Sequence, residues 1–352
     1  MKRRSIVLAG GGTLGSVTSL LALVELANNN NRNYDFVWFG TWRGPERFIV
    51  APYHLPYYRI ASGKLRRYWS AKNVTAPLFV FVGFLQTVGI FIFGRPSLVI
   101  SAGAYVAVPV VWAAWCFRIP VLLHEQDKRD GLALQLVRFT ATVRTSVWAK
   151  EGTTAIGNLI PPSIYEGDVD RIRKHYALPA GLPVVLVIGG GTGALAINSL
   201  LLAALPELTK RVFVLHITGK GKKVDSVKED RYRAIELVVG ELPDMYAVAS
   251  VVITRAGMGT LSGLAQLRKP AIVIPMPHSH QEENASFLAA NHAAVVMPQA
   301  ELTADTLRRA VFTLLDNEGE RVALGEALHK LIKDGTNDYL ALVDSELGRK
   351  PL

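Results

Sequence analysis

The stretch Ser5-Ile6-Val7-Leu8-Ala9-Gly10-Gly11-Gly12-Thr13-Leu14-Gly15 decides the fold, because the same pattern opens the second half of the chain as Pro183-Val184-Val185-Leu186-Val187-Ile188-Gly189-Gly190-Gly191-Thr192-Gly193-Ala194. In each case a short apolar run ends in glycines and an apolar helical stretch follows. That is a buried strand turning into a helix. The front half continues with strands predicted at Asp35–Phe39, Ser97–Ser101 and Pro120–His124 and helices over Thr18–Ala27 and Val108–Phe117. The rear half continues with a helix through Leu205 and strands at Val212–Ile217, Ile235–Val238, Val251–Thr254 and Ala271–Pro275. Strands that alternate with helices make βαβ units on parallel sheets. The expected class is α/β, with two Rossmann-like domains. The Pro- and Gly-rich segment Gly157–Gly181 is the expected link.

Composition agrees with a core-rich globular chain. Of 352 residues, 50% are hydrophobic and 19% charged, which excludes a disordered or fibrous protein. The N-terminal MKRRSIVLAGGG has too short an apolar run for a signal peptide. The single cysteine, Cys116, cannot close an internal disulfide; a reducing compartment is expected, with the thiol as a small buried hydrophobe.

Charge is unevenly divided. Residues 1–157 carry 18 Lys+Arg and 7 Asp+Glu, a net of +11; residues 158–352 carry 21 and 22, a net of −1. A basic half implies an anionic partner such as a phosphorylated substrate or an acidic lipid surface. Nucleic acid is not expected, because the basic half lacks the aromatic-basic patterning of a stacking platform. The run Val74–Phe93 holds twenty residues without a charge. It is long enough to span a bilayer. Its place between strands of one sheet argues for a helix packed on that sheet with one face toward lipid. Lys64, Arg66, Arg67 and Lys72 beside it suit an anionic surface.

Candidate chemistry lies at the predicted strand ends. Glycine turns let phosphate approach the backbone at a helix N-terminus, so each half has one expected anion site. No GxxxxGK[ST] signature occurs, and no acidic residue stands where a dinucleotide ribose would need one. His124-Glu125-Gln126-Asp127 ends a strand and offers a general base, and Tyr105 stands at another strand end. In the rear half Asn198 lies one turn into the helix that follows the glycines. Arg255, in Thr254-Arg255-Ala256-Gly257, offers fixed-geometry donors to a diphosphate. Gln281 and Asn284, three residues apart, are amides suited to sugar hydroxyls.

These pieces in this order, with Gly103–Val106 (GAYV), Gly157-Asn158 and His280–Ala285 (HQEENA), resemble the MurG family of peptidoglycan glycosyltransferases over nearly the whole chain. The resemblance implies a GT-B fold, two Rossmann-like domains with parallel sheets facing a cleft. Residues 1–157 would bind the acceptor and membrane, with a C-terminal helix at 336–352 packing back on them; residues 158–335 would bind the donor. It implies inverting transfer of N-acetylglucosamine from UDP-GlcNAc to undecaprenyl-linked lipid I. The setting would be the cytoplasmic membrane face, with peripheral attachment and neither metal nor cofactor.

By the same resemblance, Gly12, Thr13, Gly15, Ser16, Tyr105 and Asp127 would meet the acceptor. Gly190, Gly191, Thr192, Asn198, Arg255, Gln281 and Asn284 would meet the donor. Leu14 and Ser16 depart from the family's first turn, GGTGGH, and Asp127 and Leu134 depart from its acceptor-side asparagines. With Ser16 in place of the family's histidine, Glu125 is the expected base and His124 its orienting partner. Gly263 stands where the family has a glutamate for the donor ribose. A different nucleotide sugar or lipid acceptor, or a scaffold without turnover, stays open on these residues.

Overall fold

The computed structural model describes residues 4–12, 14–63, 72–190, 193–222 and 229–348. They form two units, Met1–Pro161 with Asp334–Leu352, and Pro162–Lys333.

The first unit opens with β1 (Arg4–Ala9), α1 (Leu14–Asn29), β2 (Tyr34–Gly40), the short α2 (Glu46–Val50) and β3 (Tyr57–Arg59). It continues through α3 (Lys72–Phe93), β4 (Leu98–Ser101), α4 (Ala107–Cys116), β5 (Val121–Glu125), α5 (Leu132–Val137), β6 (Val143–Ser146) and β7 (Thr154–Ala155). All neighbours pair in parallel, in the order β3-β2-β1-β4-β5-β6-β7. Strand order reverses between β1 and β4. In open α/β sheets the crevice beyond the carboxyl ends at such a switch point is where ligands bind.

The second unit has α6 (Val169–Tyr176), β8 (Val184–Ile188), α7 (Leu195–Leu208), β9 (Phe213–Ile217) and β10 (Tyr232–Ile235). It is completed by α8 (Leu242–Val248), β11 (Ala249–Thr254), α9 (Met258–Gln266), β12 (Ala271–Val273), α10 (Gln281–Ala290), β13 (Val295–Val296), α11 (Ala304–Asp316) and α12 (Glu318–Leu331). Its parallel order is β10-β9-β8-β11-β12-β13, so the switch point lies between β8 and β11.

Inner strands β4, β5, β8 and β9 are fully buried runs, as strands covered on both faces must be. On one face of the first sheet Ile6, Leu8 and Ile100 pack with Leu20, Leu23 and Val24 of α1. On the other, Val7, Val99 and Val121 pack with α4. A last helix, α13 (Thr336–Gly348), joins the α1 face through Tyr339, Leu340 and Val343. Asp344 holds it there by accepting from Tyr34 and pairing with Arg32 at 2.8 Å.

Three sequence expectations need correction. The strand expected at Ile235–Val238 pairs instead as Tyr232–Ile235, where its register with Val214–Ile217 buries Tyr232. The segment expected to be a plain link contains α6, whose N-cap Asp168 accepts from the N–H groups of Asp170 and Arg171. Cys116, expected to be buried, ends α4 exposed.

Among the described residues α3 is the one helix long and apolar enough to cross a membrane. Its covered side chains, Ala76, Thr87 and Phe91, form one stripe, while Leu78, Phe79, Phe81, Leu85, Ile92 and Phe93 are exposed, Phe93 by 95%. The stripe is fixed to the body at two backbone approaches. A Cβ at Gly83 would strike the Ala61 carbonyl, and the Gln86 amide oxygen accepts from Ala61 N–H at 2.8 Å. Lys64, Arg66 and Arg67 lie outside the described residues, as does the Lys72 side chain.

Tyr339 is fully buried, and its hydroxyl has no hydrogen-bond partner among the described residues. A buried unsatisfied hydroxyl costs about 1–3 kcal/mol. Tyr339→Phe should therefore leave the melting temperature unchanged or raise it. A loss of about 1 kcal/mol or more in denaturant unfolding would show that the hydroxyl has a partner.

Candidate active site

In the first unit the switch point brings Gly10–Gly12, which follow β1, next to Tyr105, which follows β4. The two do touch: Gly12 sits at φ 79°, and a Cβ on it would fall inside the Tyr105 ring. Thr13 lies outside the described residues. The Gly12 N–H is already taken, since it donates to Oε2 of Glu46 at 3.0 Å. Glu46 was not singled out by sequence reasoning. Its signal is slight, an acidic residue in the first turn of a helix after Gly44-Pro45.

Gly15 presents its carbonyl to the hydroxyls of Thr18 and Ser19. Ser16 is buried, and its hydroxyl is unpartnered among the described residues. Asp127 is partly exposed in the loop beyond β5.

The expected His124–Glu125 couple does not exist. Both residues are on β5, and consecutive strand residues point to opposite faces. His124 Nδ1 lies 3.0 Å from Thr145 Oγ1 and Nε2 lies 3.0 Å from Asn158 Oδ1. Its ring meets Tyr339 edge-on, with centroids 5.6 Å apart. Burial lowers its pKa to about 4, so it is a neutral brace at pH 7.

On the opposite face Glu125 is fully buried. Its Oε1 accepts from Arg144 Nε at 2.8 Å and Nη2 at 2.7 Å, and Lys150 Nζ stands 3.5 Å from its Oε2. Lys150 also reaches Asp130. This buried carboxylate stands between two cations, and its Oε2 has no hydrogen-bond partner among the described residues.

The second unit repeats the arrangement at its own switch point. Gly189–Gly193 follow β8, and Arg255 and Gly257 follow β11. Gly191 and Thr192 lie outside the described residues. Gly190 has φ 87° and, among the described residues, nothing within 4 Å of a Cβ position, whereas a Cβ at Gly189 or Gly193 would meet the backbone of Ala194 or Thr218. Helices α7 and α9 begin at Ala194 and Gly257 with no side-chain cap, which leaves their first N–H groups directed outward. Lys222, which sequence reasoning passed over, reaches the turn and donates to the Gly193 carbonyl at 3.2 Å.

Three expected donor residues make hydrogen bonds within the unit. Asn198 is buried; its amide donates to the Thr218 carbonyl at 3.0 Å and its Oδ1 lies 3.0 Å from His216 Nε2. Asn284 is buried and donates to the Ala256 carbonyl at 3.1 Å, tying α10 to the start of α9. Gln281 turns its amide oxygen back to the Met276 N–H at 3.1 Å. Arg255 is nearly buried. It donates through Nη1 to the carbonyls of Ile274 and Pro275 and through Nη2 to Gln299 at 2.7 Å, and burial holds its pKa down. Gly263 lies under the Tyr246 ring, with a Cβ position 3.1 Å from that ring and 3.4 Å from Ile164. Among the described residues no group of three or more His, Cys, Asp or Glu could hold a metal ion.

Two parallel Rossmann-like sheets in one chain, each with a glycine turn at its switch point, define a fold of the GT-B class. Residues 6–145 match the glycosyltransferase family 28 N-terminal domain and residues 184–334 its C-terminal domain. A *Bacillus anthracis* protein named as UDP-N-acetylglucosamine–N-acetylmuramyl-(pentapeptide) pyrophosphoryl-undecaprenol N-acetylglucosamine transferase 2 is 34% identical over 334 residues, 91% of this chain and 94% of that protein. A *Clostridium perfringens* transferase of the same description is 33% identical over 97% of this chain and 98% of its own. The crystal structure of *Acinetobacter baumannii* MurG shares the fold, with TM-score 0.70 and 21% identity over 97% of this chain and 99% of that one. The chain belongs to the MurG family.

The second unit carries a counterpart of the His124 brace, His216, bonded to Asn198 and Tyr232 and likewise lowered to about 4 by burial. Both imidazoles are neutral when folded, whereas unfolded histidine titrates near 6.5. The unfolded chain thus binds more protons between pH 4 and 6.5. The stability from each is fully present above about pH 6.5 and falls on acidification, by roughly 3 kcal/mol per histidine at pH 4. Calorimetric unfolding near pH 5 should take up about two protons from these residues. Uptake that stays the same when His216 is replaced by Gln would contradict this.

Proposed function

We propose that this chain transfers N-acetylglucosamine from UDP-GlcNAc to undecaprenyl-linked lipid I, with the donor in the second unit and the acceptor at the first. The observation that carries the reading is the 33–34% identity to named transferases of this specificity over more than nine-tenths of their length. The open Gly190 turn and the two uncapped helix starts supply the donor diphosphate with backbone donors. Arg255 holds the loop beside them and lends its charge to the leaving UDP. The acceptor hydroxyl attacks the anomeric carbon and gives up its proton to water, the bond to UDP breaks with its electron pair leaving on phosphate, and configuration inverts. Glu125 and His124 shape the acceptor side as positioning residues.

The exposed stripe of α3, continued by Trp115 and by Phe139 (68% exposed), supports peripheral seating on the cytoplasmic membrane face. The charge of +11 on residues 1–157 supports an anionic surface. Flotation with vesicles should require anionic lipid and weaken as salt rises.

A second reading, another nucleotide sugar as donor, is favoured by one observation. Gly263 carries no hydroxyl-binding group, and Tyr246 fills the space above it.

A UDP-release assay with UDP-GlcNAc, UDP-GalNAc and UDP-glucose, each with and without a lipid I analogue, decides between the two. Release with UDP-GlcNAc that depends on acceptor supports the first reading, and preference for another sugar supports the second. In thermal unfolding Glu125→Gln, which strips Arg144 of its carboxylate and leaves Lys150 with Asp130, should cost about 3 kcal/mol of stability. Normal melting with turnover abolished would restore Glu125 as the base.

A further inference from the structure

Glu46 stands where three connections of the first unit converge. Its carboxylate, at the start of α2, is completely buried. Oε2 accepts the Gly12 N–H from the turn after β1. Oε1 accepts the Thr41 N–H at 2.7 Å and the Thr41 hydroxyl, both just past β2, and the hydroxyl of Tyr57 on β3 at 3.3 Å. Thr41 Oγ1 in turn accepts the Gly44 N–H at 2.9 Å. A Cβ at Gly11 or at Gly44 would overlap this carboxylate. The glycines of the first turn are thus accounted for by the protein's own side chains, Glu46 against Gly11 and Tyr105 against Gly12. Gly190 in the second unit has no such neighbour among the described residues. Burial, and after it the charge of Glu46, push the phenols of Tyr57 and Tyr105 up, so both keep their protons.

We infer that Glu46 is the positioning residue of the first glycine turn: an internal anion that takes the Gly12 N–H and fixes the turn and Tyr105 in the shape the acceptor meets. A diphosphate reaching this turn cannot use the Gly12 N–H while Glu46 holds it, so the carboxylate selects which donors the acceptor finds. The part of this inference that concerns the acceptor rests on the function proposed above; the part that concerns the turn does not.

Glu46→Gln tests both parts. The amide nitrogen cannot accept from Gly12 or Thr41, so at least one arm is lost while the shape is kept. Amide hydrogen exchange of the full-length protein without substrate should quicken in peptides covering residues 5–20 and stay unchanged over residues 184–217. With substrates, KM for the lipid I analogue should rise on the order of ten- to a hundredfold while KM for the donor and the donor preference stay as they were. Where Glu46→Gln does not fold, Thr41→Val and Tyr57→Phe each remove one donor to the carboxylate and are read in the same way, with smaller shifts. Unchanged exchange over residues 5–20, or acceptor and donor KM rising together, would overturn the inference. A wild-type enzyme that leaves lipid I untouched would refute the proposed function, and the exchange measurement would still decide the role of Glu46.

Discussion

Gly11, Gly12 and Gly44 have no room for a Cβ because Glu46 and Tyr105 occupy it, and much of the first unit's ligand-facing edge depends on that close fit. A strand ending in glycines can lie against a helix N-terminus, and whatever enters the space gained at the switch point decides what the turn does. In the first unit a carboxylate of the chain enters, bonded to Gly12, Thr41 and Tyr57. In the second unit the space beside Gly190 is left open among the described residues. The two halves share a framework, and in the function proposed above the difference between them suits one to organise an acceptor and the other to receive a nucleotide diphosphate.

The same framework is braced twice in one way. His124 and His216 sit near the carboxyl ends of inner strands, each with one ring nitrogen 3.0 Å from an asparagine, Asn158 and Asn198 respectively. Each is buried with both nitrogens engaged, which holds the imidazole neutral and rigid. Polar residues in such places resemble catalytic groups in a sequence. In this fold they tie each strand to side chains of its neighbours.

The doubled architecture and every inner strand but β6 were legible in the sequence because buried parallel strands are continuous apolar runs, as in Ile6–Ala9 and Val184–Ile188; β6, Val-Arg-Thr-Ser, is no such run. The edge strands Tyr57–Arg59, Thr154–Ala155 and Val295–Val296 were not, since two or three half-exposed residues carry no period. Helix α6 did carry a signal, the N-cap Asp168 before Val169 and basic residues in its last turn, but the prolines and glycines around it read as a linker. Among candidate residues, position at a strand end was legible and the partner was not. Alternation along β5 sends His124 and Glu125 to opposite faces, and the carboxylate meets Arg144 and Lys150 only once β6 and the loop after it are in place. Glu46 was hidden for the same reason, as its partners are spread over three connections.

The central claim is that the open second turn receives the nucleotide while the first turn is filled from within. Photoaffinity labelling with an azido-uridine analogue of UDP-GlcNAc, followed by peptide mapping of the adduct, tests it most directly. The adduct should be confined to residues 162–333 and competed away by UDP. An adduct on residues 5–20, competed by UDP in the same way, would contradict it.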